Sequence, residues 1–158
     1  MAIQVGDSIP DANINILKDG VQAVSTGEFF KGRKVVLFAV PGAFTPTCSA
    51  KHLPGYIEHA EAFNAKGFAV ACLSVNDAFV MSAWAKSQDA PESIQMIADG
   101  NAEFTKALGL ELDATPFGMG LRAKRFALVA EDGKVTQLFI EAPGEFSVSS
   151  AESVLSAL

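Results

Sequence analysis

Two apolar segments restrict the folds that this chain can adopt, namely Lys34 to Val40 and Phe68 to Val75. Both are almost continuously hydrophobic and lack the apolar-polar alternation of a half-exposed strand. Such runs are typical of parallel strands that helices cover on both faces. The two segments therefore predict the centre of an α/β sheet.

Further strands are predicted where short apolar patterns are bounded by turn residues. A Lys18-Asp19-Gly20 turn joins two of them and makes the N-terminal part of the chain β-rich. The predicted strands outside the centre are Ile3 to Val5, Ala12 to Leu17, Val21 to Val24, Ser93 to Ala98 and the two arms of a hairpin around Asp132 and Gly133.

Helical spacing of apolar residues predicts the helices between these strands. The predicted helical segments are Cys48 to Lys66, Ala78 to Ser87, Ala102 to Leu108 and Ala151 to Leu158, the last capped by Ser149 or Ser150. Pro54 and Gly55 are expected to interrupt the first segment and to leave a short helix before a longer one. The order predicts a thioredoxin-like α/β sandwich, with a central mixed sheet flanked by helices and extra N-terminal strands.

Composition narrows the class of protein. A length of 158 residues, of which 49% are hydrophobic, predicts one domain over residues 1–158. A net charge of -6 without a basic run argues against nucleic-acid binding, and no apolar stretch is long enough to span a membrane. Without a secretory signal or a cysteine framework, the chain is expected to be cytoplasmic, with its two cysteines reduced.

Cys48 is the residue that most clearly predicts chemistry. It ends the sequence PGAFTPTC, directly after the first central strand, and lies in the first turn of the predicted helix. Unpaired backbone N–H groups and the helix dipole favour negative charge there, and thus the nucleophilic thiolate. In open α/β sheets this edge, beyond the carboxyl ends of the strands, is also where sites form.

Neighbouring residues have structural interpretations as well. Thr45 is suited to be the N-cap of this helix, with Pro46 in the first helical position. Cys72 lies inside the second central strand, where a buried, inert thiol is expected. His52 is four residues after Cys48 and is interpreted as a polar neighbour or a plain surface histidine, because too few ligands surround it for a metal site.

Three motifs in order carry a resemblance to a known family: PGAFTPTC with Pro41, Thr45 and Cys48, then ACLSVNDAFV and RAKRFALV. Together they resemble the peroxiredoxins, in particular the type II or peroxiredoxin-5 subfamily, over nearly the whole chain. The resemblance implies a thiol peroxidase whose peroxidatic cysteine is Cys48, with Pro41, Thr45 and Arg125 completing the pocket. Arg122 and Lys124 are nearby alternatives to Arg125 by residue type alone.

General chemistry gives these residues coherent roles. Breaking the O–O bond moves charge onto the departing oxygen, so the site needs fixed hydrogen-bond donors. Arg125 can supply a permanent cation, Thr45 a hydroxyl, and Thr47 and Cys48 their backbone amides as an anion-binding nest. Pro41 is expected to shield the sulfur, and no metal or cofactor is required.

The thiol that reduces oxidised Cys48 is less clearly specified. Some subfamily members use a second cysteine near the C-terminal helix, where this chain has Ser149 and Ser150. A resolving role for Cys72 is disfavoured, so an external thiol is expected, with glutathione and glutaredoxin favoured and thioredoxin as the alternative. The resemblance also implies a homodimer, for which Phe44, Phe79 and Phe117 are candidate contacts.

Two other functions compete with that of a peroxidase. A disulfide oxidoreductase is disfavoured because Lys51 replaces the second cysteine of a CxxC motif. A non-catalytic peroxide sensor, which passes the oxidation of Cys48 to a protein partner, uses the same sulfenic acid and stays open.

Overall fold

The computed structural model describes residues 2–158. In chain order its elements are β1 (Asn13–Leu17), β2 (Val21–Ser25), α1 (Thr26–Phe30), β3 (Lys34–Ala39), a π-helical turn (Cys48–His52), α2 (Leu53–Ala65), β4 (Ala69–Ser74), α3 (Ala78–Ser87), β5 (Ile94–Ala98), α4 (Glu103–Leu108), β6 (Glu111–Asp113), a short 3₁₀ helix (Thr115–Phe117), β7 (Leu121–Ala123), β8 (Phe126–Glu131), β9 (Lys134–Ile140) and α5 (Ala151–Ser156).

A seven-stranded mixed sheet organises these elements, in the order β2-β1-β5-β4-β3-β8-β9. The central strands β3, β4 and β5 are parallel, whereas β8 pairs with β3 and β1 pairs with β5 in the antiparallel sense. The short strands β6 and β7 form a separate antiparallel pair. The predicted thioredoxin-like fold, with β3 and β4 near the centre, is confirmed.

Burial on both sides of the sheet explains the continuous apolar pattern of β3. Val36 and Phe38 pack into a core cluster with side chains of α2, α3 and α5. Val35 and Leu37 pack on the opposite face into a cluster with side chains of α1 and α4. Successive residues of a strand face opposite sides, so a sheet with two covered faces requires apolar side chains at every position.

The helix that follows β3 carries the site. Pro46 and Thr47 are already helical, and the π-helical turn leads into α2 at Leu53. The predicted pair of a short and a long helical piece is present, and the change occurs at Leu53, directly before Pro54. Pro54 lies in the first turn of α2 and has no N–H, so it cannot continue the hydrogen-bond ladder from the π-helical turn, and the helical spacing changes beside it.

Short elements are where prediction and structure differ. Ile3 to Val5 is not a strand; the N–H of Ile3 instead donates to the carbonyl of Leu108 at 2.8 Å. The elements α1, β6 and β7 were not predicted. Of the two candidate caps for α5, Ser150 accepts the hydrogen bond from the N–H of Ser153. Within residues 2–158, no helix is both long and apolar enough to cross a membrane.

Candidate active site

Strand pairing brings Cys48 and Arg125 together. Cys48 begins the π-helical turn after β3, and its side chain is fully buried. Arg125 directly precedes β8, whose first residue, Phe126, pairs with Ala39 at the end of β3. Arg125 thus lies where the Cys48 segment leaves the sheet, and its Nη2 donates to Cys48 Sγ at 3.1 Å. A permanent cation therefore contacts the sulfur.

His52 contacts the second outer nitrogen of the same guanidinium. Nη1 of Arg125 is 2.8 Å from Nδ1 of His52, and Nε2 of His52 is 3.0 Å from the carbonyl oxygen of Ser149. Because arginine can only donate, Nδ1 accepts and the ring proton is assigned to Nε2, which donates to Ser149. His52 is fully buried, so the interpretation of His52 as a surface histidine is wrong. The alternative interpretation, a polar neighbour of Cys48, is confirmed because both side chains contact Arg125.

Burial, together with the positive charge of Arg125, lowers the pKa of His52 from 6.5 to about 3. The imidazole is therefore neutral near pH 7 and offers the lone pair that holds Arg125. Sequence reasoning missed this role. The spacing of four residues from Cys48, one helical turn, was the available signal.

A segment after β9, from Glu141 to Ser149, completes the network. One carboxylate oxygen of Glu141 accepts from the N–H and the hydroxyl of Ser149 at 2.8 and 2.7 Å, and from the N–H of Ser147 at 2.7 Å. Burial raises the pKa of Glu141, but these hydrogen bonds outweigh it and hold the pKa below its usual value. The hydroxyl of Tyr56 also donates to the carbonyl of Ser149, at 2.8 Å. Glu141 thus stabilises the segment whose Ser149 carbonyl accepts the hydrogen bond from His52.

The titration of His52 predicts a loss of stability in mild acid. The folded-state pKa lies below the unfolded value of 6.5, so the unfolded chain binds a proton first as the pH falls. We expect about 2 kcal/mol of unfolding free energy to be lost between pH 6.5 and pH 5, at roughly 1.4 kcal/mol per pH unit. Urea denaturation across this range measures the loss.

One variant separates this effect from other titrations. His52→Gln should remove the slope between pH 6.5 and pH 5 that the wild type shows. Glu141 adds its own loss only at lower pH, because its ordinary pKa is 4.5. An equal slope in His52→Gln and the wild type would contradict the assignment of a neutral, buried His52.

Thr45 forms a tight turn beside the nucleophile. Its hydroxyl donates to the carbonyl of Gly42 at 2.6 Å, and its own carbonyl accepts from the N–H of Ser49 at 3.0 Å. Thr45 therefore stands at the helix start, as the capping interpretation requires, but its side chain does not cap a helical N–H. With the hydroxyl proton directed to Gly42, the Thr45 oxygen keeps lone pairs that can accept a further hydrogen bond.

The remaining predicted pocket residues flank this turn. Pro41 is partly exposed and follows the end of β3, and Thr47 and Cys48 lie in the first helical turn, whose N–H groups have no earlier helical carbonyl to bond. Arg122 and Lys124, the alternatives to Arg125, have no hydrogen bond to Cys48 within residues 2–158. Arg122 instead reaches the carbonyl of Pro41, at 3.4 Å.

Cys72 lies in β4, opposite Phe38 of β3, and is fully buried as a free thiol. Burial raises the pKa of Cys72, and the sulfur of Cys48 raises it further, against a smaller opposing effect of Arg125. A buried thiol that resists ionisation is a poor nucleophile.

Two other expectations concern metals and surface aromatics. Among residues 2–158, no group of three or more His, Cys, Asp or Glu side chains is placed to hold a metal ion.

Phe44, Phe79 and Phe117 are 56%, 64% and 80% exposed, which leaves their rings accessible to a partner.

A buried cysteine held against an arginine at the edge of a thioredoxin-like sheet defines a thiol-based redox site. The Redoxin family profile matches residues 4–155. The chain is 50% identical over 159 residues to peroxiredoxin-2B of Arabidopsis thaliana, covering 99% of this chain and 98% of that protein.

Solved structures agree with this relationship. Reduced Prx3 from Vibrio vulnificus, in complex with H₂O₂, superposes with a TM-score of 0.94 at 54% identity over 98% of each chain. Peroxiredoxin 5 from Alvinella pompejana gives a TM-score of 0.87 at 36% identity, over 98% of this chain and 97% of that one. The chain therefore belongs to the peroxiredoxins, within the redoxin family, and is a thiol peroxidase.

Proposed function

We propose that the chain reduces hydrogen peroxide and small organic hydroperoxides through Cys48. The observation that carries this proposal is the 3.1 Å hydrogen bond from Arg125 Nη2 to Cys48 Sγ. The thiolate attacks the terminal oxygen of the peroxide, so that an S–O bond forms as the O–O bond breaks. Sulfur is oxidised by two electrons to sulfenic acid, and the departing oxygen leaves as water or an alcohol after taking up a proton.

Arg125 lowers the barrier of this step by stabilising charge that moves from sulfur to the departing oxygen. Its two outer nitrogens are held by Cys48 and His52, so the guanidinium is oriented before the peroxide enters. The hydroxyl oxygen of Thr45 accepts a hydrogen bond from the peroxide O–H, and the Thr47 and Cys48 amides contribute positive potential.

The sulfenic acid is recycled by an external thiol. The sequence holds two cysteines, and Cys72 would have to leave the core of the sheet to resolve Cys48. The hydroxyl of Ser149 is engaged by Glu141 in the segment where some relatives carry a resolving cysteine. Glutathione suits a buried sulfur better than a protein thiol because it is small. Its thiolate displaces the sulfenic oxygen as water and forms a mixed disulfide, which glutaredoxin then reduces.

The setting of this reaction is also part of the proposal. The protein acts in the cytoplasm as a homodimer that uses the exposed rings of Phe44, Phe79 and Phe117. Thioredoxin is the alternative reductant. Membership of a peroxidase family favours turnover over a sensor that is oxidised once.

Intact-mass analysis after one equivalent of H₂O₂, with and without glutathione, tests the route of recycling. We expect the wild type and Cys72→Ala both to gain one oxygen without glutathione and one glutathionyl group with it. Loss of two hydrogens in the wild type, absent in Cys72→Ala, would reveal an internal disulfide and contradict external recycling.

A further inference from the structure

Arg122 is a second guanidinium beside the segment that carries Cys48. Its Nε donates to the carbonyl of Met119 at 3.0 Å, and its Nη1 to the carbonyl of Pro41 at 3.4 Å. A Cβ atom at Gly42 would lie 2.9 Å from this Nη1 and 3.2 Å from the methyl group of Thr45. The glycine thus lets the guanidinium approach the backbone of the loop, next to a pocket residue.

Within residues 2–158, no carboxylate neutralises this cation, because no acidic side chain forms a salt bridge with Arg122. Arg122 pairs with Leu112 across β6 and β7, so the acidic neighbours Glu111 and Asp113 face the other side of that ribbon. Arg122 is half-buried, and its Nη2 has no protein acceptor in the described part of the chain.

Local charge at this site is opposite to that of the whole protein. Arg122, Lys124 and Arg125 lie within four residues, although the net charge is -6. A fixed, unpaired guanidinium at the edge of a reactive pocket is suited to bind a carboxylate, because its planar fork matches the two carboxylate oxygens. Hydrogen peroxide carries no carboxylate, so the complementary reactant is an organic anion.

We propose that Arg122 binds a carboxylate of the reducing thiol while that thiol attacks the Cys48 sulfenic acid. The inference rests on the proposed recycling by an external thiol and identifies its class as carboxylate-bearing small thiols, of which glutathione is one. The thiolate forms the S–S bond with Cys48, the sulfenic oxygen leaves as water after protonation, and Arg122 takes part in no bond change.

Paired thiols with and without a free carboxylate test this inference. The probes are glutathione against its diethyl ester, and 3-mercaptopropionate against its methyl ester, each mixed with protein oxidised by one equivalent of H₂O₂. The single tryptophan reports the reaction by fluorescence, because Trp84 Nε1 donates to Ser49 Oγ at 3.0 Å, beside Cys48. Acid and ester differ in intrinsic thiol reactivity, so the quantity compared is the acid-to-ester rate ratio in each variant.

Arg122→Met should lower this ratio about 5- to 10-fold for both pairs, the scale of a partly exposed, charge-assisted hydrogen bond. Arg122→Lys, which keeps the charge without the fork, should fall between it and the wild type. The matched control is Lys124→Met, which removes an exposed cation two residues away and should leave the ratio unchanged.

The other outcomes count against the assignment. A ratio in Arg122→Met equal to that of the wild type, or an equal drop in Lys124→Met, would overturn it. The same acid-to-ester comparison can be made with a carboxylate-bearing hydroperoxide and its ester. If Arg122→Met lowered that ratio but not the ratio for the thiols, Arg122 would bind the oxidant and not the reducing thiol, which would also overturn the assignment. Failure of the sulfenic acid to react with any of the four thiols would instead refute the proposed function on which it rests.

Discussion

Replacing Arg125 with methionine should slow the reaction of Cys48 with H₂O₂ by about 10²- to 10³-fold, the scale found when an enzyme loses one preorganised donor to a developing anion. The substitution removes the N–H that contacts Sγ at 3.1 Å and also frees His52. Single-turnover oxidation followed by Trp84 fluorescence measures the second-order rate constant.

Arg125→Lys separates charge from geometry. Lysine keeps a positive charge, but one ammonium group cannot reproduce the two-armed contact that joins Sγ to Nδ1 of His52. We expect it to recover only part of the rate. Lys124→Met removes one positive charge at the preceding residue. Its rate constant should stay within about twofold of the wild-type value, since screening weakens an exposed charge. A rate for Arg125→Met within threefold of the wild type would contradict the role of the guanidinium.

Local sequence patterns predicted the parts of the fold in which local and tertiary preferences agree. The strands β3 and β4 are apolar at every position because both faces are covered, so pattern and burial give the same answer. The hairpin of β8 and β9 was predicted from Asp132 and Gly133, which have φ angles of 50° and 76°, as a two-residue turn requires.

Short elements escaped prediction because their periodicity covers too few residues to be distinguished from a loop. The helix α1 has five residues, and β6 and β7 have three each. These elements are stabilised by tertiary packing and pairing, which no local window of sequence reveals.

The residues of the site likewise fall into those that local sequence predicts and those that depend on tertiary contacts. Cys48 and Thr45 could be predicted because a few neighbouring residues reveal both their side-chain chemistry and their position at the start of a helix. The contact between His52 and Ser149 joins residues 97 positions apart and depends on where the segment after β9 returns to the sheet. Arg125 was selected by the family motif, whereas geometry alone explains why it reaches Cys48: the register pairs Phe126 with Ala39.

Cys48→Ser should abolish peroxide reduction, because a hydroxyl is not appreciably ionised near pH 7 and is a far weaker nucleophile than a thiolate. The change removes one sulfur atom and leaves Arg125 and His52 in place, so folding should be preserved, which circular dichroism can verify. Cys72→Ala is the matched control, since it removes the other buried thiol and should keep full activity.

Continuous peroxide consumption with glutathione and glutaredoxin tests the central claim, that Cys48 is a peroxidatic cysteine recycled by an external thiol. The account predicts many turnovers per chain for the wild type and for Cys72→Ala, and none above background for Cys48→Ser. Consumption of a single equivalent of peroxide by the wild type, or sustained turnover by Cys48→Ser, would contradict it.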